Sequence, residues 1–178
     1  MDIREIKTKR NIKNAFIQLR SHKSLERISV KELAELAEIS KATFYLHYHD
    51  IYDLSDSLQK EIIKSILDSI SQPDLVLTDV KSFTKELFYA FHSEQALIDI
   101  LFSGSQASTL PISIEKEIRE YIFKLVPQAR NDARFNILLS YQIQGGYYAY
   151  IENYKQFGID CVMEIWDELY GNFPIITT

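Results

Sequence analysis

Three capping residues, Ser29, Ser40 and Asp50, follow one another closely and limit what the chain around them can form. Ser29-Val30-Lys31-Glu32 reads as a capping box, in which the serine oxygen accepts from a backbone N–H one turn ahead and the glutamate reaches back. The helix it opens carries Val30, Leu33, Ala34 and Ala37 as an inward stripe, and the alanines allow close approach to a neighbour. Glu38-Ile39 then makes a turn of about three residues, and Ser40 caps a second helix by accepting from the Thr43 N–H. Asp50 ends that segment by capping the next helix in the same way. Two amphipathic helices joined by so short a turn have the geometry of a helix-turn-helix, which places its second helix in the major groove of DNA.

That second helix holds more aromatics and histidines than a plain core needs. With Ala42, Phe44 and Leu46 or Tyr48 turned inward, Lys41, Thr43, Tyr45 and His47 project outward, carrying donors that phosphate oxygens and base edges accept. Upstream, Lys7 to Lys13 opens a helix whose apolar positions Ile12, Ala15, Phe16 and Leu19 recur at helical spacing. Cations in its first turn oppose the macrodipole, at roughly a few tenths of a kcal/mol each. Phosphate contact would compensate; a solvated charge run is the plainer alternative. The net charge of −5 is unevenly spread, with +3 on residues 1–50 and −8 on residues 51–178. A basic head on an acidic body offers one face to a polyanion and repels it elsewhere.

At this point the residues resemble a family. Ile12, Ala15 and Leu19, then Ser29-Val30-x-Glu32-Leu33-Ala34-x-x-Ala37-x-Ile39-Ser40-x-Ala42-Thr43-Phe44-Tyr45-x-His47-Tyr48, then Asp50 and Leu54, look like the DNA-binding domain of the tetracycline-repressor (TetR-like) family. The resemblance covers roughly residues 8–58. It implies that Thr43, Tyr45 and His47 touch DNA, largely its backbone, that Lys41 after the capping Ser40 helps read sequence, and that Thr8 and Lys9 lie near phosphates. The head is also similar to the subgroup that includes regulators of dihydroxyacetone kinase operons, where protein partners are used. Two positions depart from the pattern. Glu38 stands where a glycine is usual, which argues against a left-handed backbone there, and Ile51 stands where a lysine often supplies a phosphate contact.

The expected fold class is all-α: a three-helix head over residues 1–50, a connecting helix over 51–71, and a helical body over 72–178. Leu54, Leu58, Ile62, Ile63, Ile66, Leu67 and Ile70 mark the connecting helix, which ends before Pro73. In the body, Phe83, Leu87, Phe88 and Phe91 pattern a helix from Asp79 to His92, and Ser93 is placed to cap a continuation through Leu101. Gly104 to Ser108 reads as a loop, and a helix from Pro111 stops at Pro127. The last two helices, Asn131 to Phe157 and Ile159 to Tyr170, are parted by Gly158.

The first of these carries Gly145 and Gly146, each about 1 kcal/mol less favourable than alanine in a helix, so close approach by another element is expected. The resembling family dimerises through its last two helices, and Gly145, Gly146, Ile165, Trp166 and Leu169 fit such an interface, with Met163 beside them. A small-molecule effector cavity lined by Phe88, His92, Tyr141, Gln144 and Tyr148 is the sharper alternative.

Enzyme chemistry finds no foothold: no phosphate loop, nucleophile elbow, HExxH or paired cysteine and histidine occurs. Glu115, Glu117 and Glu120 read as a solvated helix face. His47, His49 and Asp50 invite a metal reading, but i, i+2 spacing sets the two imidazoles on opposite sides of a helix. No metal and no cofactor is therefore expected. His22 and His92 read as surface or hydrogen-bonded residues. Cys161, read as a buried thiol, suits a reducing cytoplasm, and the charged start after Met1 resembles neither a signal peptide nor a membrane span. The expected partners are operator DNA, a second copy of the chain, and a small-molecule effector or a protein; without the head, any residual turnover would point to an enzyme instead.

Overall fold

The computed structural model describes residues 3–72 and 75–170. Ten α-helices and three short 3₁₀ segments make up the fold, with no strand among the described residues. They are α1 (Ile3–Arg20), α2 (Val30–Leu36), α3 (Lys41–Tyr45), α4 (Ile51–Asp68), α5 (Leu75–Thr78), α6 (Val80–Ser93), α7 (Gln95–Leu101), α8 (Leu110–Leu125), α9 (Ala133–Phe157) and α10 (Ile159–Tyr170). The described residues fall into two compact units, one running up to residue 62 and including 96–109, the other taking in the described residues from 63 to 95 and from 110 to 170.

The first unit is built on apolar stripes at helical spacing. Ile12, Phe16, Leu33, Phe44 and Leu54 have no exposed surface, and each such side chain contributes about 1.5–3 kcal/mol by leaving water. Helix α1 begins at Ile3, earlier than Lys7, and has Glu5 in its first turn. The cations at Lys7, Lys9 and Arg10 therefore lie past the positive end of the helix, and the acid there complements the macrodipole.

Arg20 is a charged residue in this core, 4% exposed. Its Nη1 donates to the Lys23 carbonyl at 2.8 Å, and Nη2 donates to the carbonyl and hydroxyl of Ser103 at 3.2 and 2.6 Å. Those carbonyls follow the ends of α1 and α7, where helices leave acceptors open. Burial pushes the Arg20 pKa down, partly offset by the charge of Glu26. Gln59, on α4 and 5% exposed, adds a bond from Nε2 to the Leu101 carbonyl at 3.0 Å. Residues 96–109 thus belong to the same compact unit as α1 to α3. Gly104 to Ser108, expected as a loop, lie in a 3₁₀ segment, Gly104–Thr109. It opens at Gly104 with φ 61°, and its Ser105 hydroxyl donates to the Glu26 carboxylate.

In the second unit, Asp79 caps α6 by accepting from the Ser82 N–H at 3.1 Å. Ser93 does not cap α7: it is the last residue of α6, and its hydroxyl donates to the Ala90 carbonyl at 2.8 Å. A serine within a helix satisfies itself on the preceding turn, leaving nothing to offer the next element. Asp132 caps α9 by accepting from the Phe135 N–H at 3.0 Å, so that helix starts at Ala133 and not Asn131, which closes a 3₁₀ turn after Pro127. Gly158, with φ 81°, parts α9 from α10. Pro73 and Asp74, at the expected start of the body, lie outside the described residues.

Two further readings are corrected here. Glu115 does not lie on a solvated face: Oε1 accepts from Arg119 Nε at 3.0 Å and from the Ser140 hydroxyl at 2.6 Å, and Oε2 accepts from Gln144 Nε2 at 2.7 Å. Arg119 also donates to the Asn136 carbonyl and side chain, so α8 and α9 share a hydrogen-bonded seam. Cys161 is exposed, because α10 turns Val162 and Met163 inward.

Candidate nucleic-acid interface

The helix-turn-helix is built by its caps. Ser29 accepts from the Glu32 N–H at 3.2 Å, but the Glu32 carboxylate pairs with Lys23 and does not return to the serine. The turn after α2 closes as a Schellman motif: the Glu38 N–H donates to the Glu35 carbonyl at 3.3 Å and the Ile39 N–H to the Ala34 carbonyl at 3.0 Å. Glu38 has φ 55°, the left-handed conformation that its lack of a glycine argued against. The two carbonyl bonds hold it there, against a steric cost of about 1–2 kcal/mol. Asn11 on α1 donates to the Ala37 carbonyl at 3.4 Å, fixing the turn against the first helix.

Ser40 accepts from the Thr43 N–H at 3.0 Å, and the two hydroxyls share a 2.8 Å hydrogen bond. Asp50 accepts from the Asp53 N–H, and Asp53 accepts in return from the His49 N–H, both at 2.8 Å. Helix α3 is therefore held at its start, and the helix after it is capped reciprocally.

Of the residues expected at DNA, Lys41 is exposed and Tyr45 is 57% exposed, one turn apart on α3, while Thr43 and His47 are half-buried. Lys41 has no acidic partner among the described residues. The inward set is narrower than expected. Phe44 has no exposed surface and Tyr48 is half-buried, but Ala42 is exposed and Leu46 is 81% exposed. Alternation placed Ala42 and Leu46 inside, whereas a helix repeats every 3.6 residues, so Phe44 and Tyr48 share the inner face and Ala42 and Leu46 share the outer one. With Phe44 inward, i, i+4 spacing selects Tyr48 for the inner face and leaves Leu46 outside, which is the signal that finds it.

On α1, the Thr8 hydroxyl donates to the Arg4 carbonyl at 2.9 Å, and Lys9 pairs with Glu5 at 2.9 Å. No group of three or more potential metal ligands occurs among the described residues.

The residues weighed for a body site fall into separate surroundings. Phe88 and His92 stand on an aromatic cluster: His92 Nδ1 is 2.7 Å from the Tyr150 hydroxyl, and Phe88 lies 5.5 Å from the Tyr150 ring and 5.2 Å from the Trp166 ring. Gln144 belongs to the Glu115 seam, and Tyr141 and Tyr148 are 70% and 54% exposed. Of the residues weighed for an interface, Gly146 and Trp166 pack on each other within the chain. Gly145 faces open space, and Ile165 and Leu169 are 53% and 52% exposed.

No family model and no solved structure matches the chain. It is 25% identical over 97 residues to the uncharacterised HTH-type transcriptional regulator YxbF of Bacillus subtilis (strain 168). The match takes in 52% of this chain and 26% of that protein, so it spans about a quarter of its relative's length. No helix among the described residues is long and apolar enough to cross a membrane.

Proposed function

We propose that the chain is a DNA-binding transcription regulator of the TetR type, acting as a homodimeric, effector-responsive repressor on a pseudo-palindromic operator in the cytoplasm. The observation that carries this reading is the capped α2, left-handed turn and capped α3, with Lys41 and Tyr45 exposed one turn apart. The similarity to an HTH-type regulator supports it, as does the +3 charge of residues 1–50. Lys41 reads base edges, Thr43, Tyr45 and His47 hold phosphates, Ser40 sets the helix start, and Thr8 and Lys9 meet the backbone from α1.

The dimer is supported by apolar surface left on the last two helices. Ile137 and Tyr141 on α9 are 69% and 70% exposed, one turn apart, with Gly145 and Tyr148 continuing the same side. Ile165 and Leu169 do the same on α10. On a pseudo-palindromic operator, half-sites about one helical turn apart place two recognition helices on one DNA face. An effector releases DNA only if it binds the DNA-incompetent state more tightly. A second reading uses the outward Tyr141 and Tyr148 differently: the body binds a protein partner on that surface in place of a second copy, and the chain acts as a DNA-bound adaptor or coactivator.

A gel shift with the DNA upstream of the chain's own coding sequence tests the function. Binding that weakens steeply with salt, and that is reduced on this DNA in Lys41→Ala, supports it; a folded dimer that shifts neither this DNA nor genomic fragments overturns it.

A further inference from the structure

One residue proposed for DNA contact, Lys9, is paired with an acid. Glu5 lies in the first turn of α1, and its Oε1 is 2.9 Å from Lys9 Nζ, with the two side chains 39% and 42% exposed. Hydrogen bonding to Lys9, and then the charge of Lys9, hold the Glu5 carboxyl below its usual range, and His47 adds to the effect. The Lys9 ammonium is correspondingly raised by Glu5. One carboxylate is thus paired with a group assigned to phosphate, Lys9 on α1. Lys41, assigned to base reading, has no such partner among the described residues. Glu5 also serves the helix, through the macrodipole and an exposed ion pair, each worth about 1 kcal/mol or less, but neither effect requires that its partner be a lysine assigned to phosphate.

We propose that Glu5 is an electrostatic brake on DNA binding: it occupies the Lys9 ammonium in the free protein and repels the backbone phosphate that must take its place. The inference rests on the DNA-binding reading above. Because Lys9 leaves one anion for another, it releases less condensed counterion than a free lysine would, and both affinity and salt dependence fall.

The test is fluorescence anisotropy of the full chain on a labelled duplex across a salt series. Glu5→Gln is expected to bind about three- to tenfold more tightly near 0.1 M salt, with the log–log salt slope steeper by up to about 0.9. Glu120→Gln makes the same change in formal charge at an exposed residue paired with Arg130 at 3.5 Å and not with Lys9, and is expected to stay within about twofold of wild type because it frees no cation assigned to phosphate. In a Lys9→Gln background the gain from Glu5→Gln is expected to shrink. Glu5→Gln binding no tighter than wild type, Glu120→Gln matching it, or the full gain surviving without Lys9 would overturn the brake while leaving DNA binding intact. Wild type without salt-sensitive binding would remove the DNA-binding reading and the brake together.

Discussion

The indole of Trp166 lies against the bare backbone of Gly146: a β-carbon there would stand 2.7 Å from Cη2 and 2.9 Å from Cζ2. Phe88 closes the same spot at 3.4 Å. The glycine is thus accounted for by a contact between α9 and α10 of one chain. Its neighbour Gly145 meets nothing within 4 Å. Gly146→Ala is expected to destabilise the fold by up to about 2 kcal/mol, since overpacking costs about 1–3 and helix propensity returns about 1. Gly145→Ala is expected to stabilise by about 0.5–1 kcal/mol. Urea denaturation of both variants at one protein concentration checks the contrast.

Glu38 carries a left-handed backbone with a side chain that disfavours it. Glu38→Gly is expected to raise stability by about 1 kcal/mol, the steric relief exceeding the entropy glycine adds to the unfolded chain. Thermal unfolding reads this directly, and a loss of stability would mean that the Glu38 side chain has a role in the turn beyond its backbone.

Arg20 bonds to oxygens past the ends of two helices from within the core. Arg20→Ala is expected to cost about 2–3 kcal/mol, because it removes hydrogen bonds from a charged donor to the partly buried oxygens of Ser103 and to the Lys23 carbonyl, and empties a core position. Arg20→Lys keeps the charge but loses the planar fork, so one ammonium cannot reach Lys23 and Ser103 together, and most of the loss should remain. Chemical denaturation of the two variants distinguishes fork from charge.

Glu115 gives a pH dependence. Burial raises its pKa, but the bonds from Ser140, Gln144 and Arg119 together outweigh burial and hold it below the usual carboxylate range. A depressed folded-state pKa contributes stability that is present above the unfolded value and lost as pH falls through the folded one. Stability is therefore expected to drop as pH falls below about 4.5, and Glu115→Gln should flatten that part of the curve. An unchanged slope in the variant would assign the acid sensitivity elsewhere.

Much of this was legible because it is local. Ser29, Ser40, Asp50 and Asp79 announce helix starts through side chains that bond a few residues away, and the stripes Ile12 to Phe16 and Leu54 to Leu67 follow the helical period. The misplacements have a common physical origin in contacts distant in sequence or in a wrong period. Arg20 meets Ser103, and Glu115 meets Ser140 and Gln144, through folding that no local pattern encodes. Ala42 and Leu46 were assigned inward by a two-residue alternation in a five-residue helix. Among the residues proposed for DNA contact, the engagement of Lys9 by Glu5 and of the Thr43 hydroxyl by Ser40 required coordinates.

The most direct test of DNA reading by α3 is selection of bound sequences from a random duplex library by the purified full-length chain, beside its Lys41→Ala variant. Wild type should enrich a two-fold symmetric sequence with half-sites about one helical turn apart, and Lys41→Ala, still folded, should relax or change the preferred bases within each half. Enrichment of no sequence by wild type, or of the same sequence with the same strength by the variant, would contradict it.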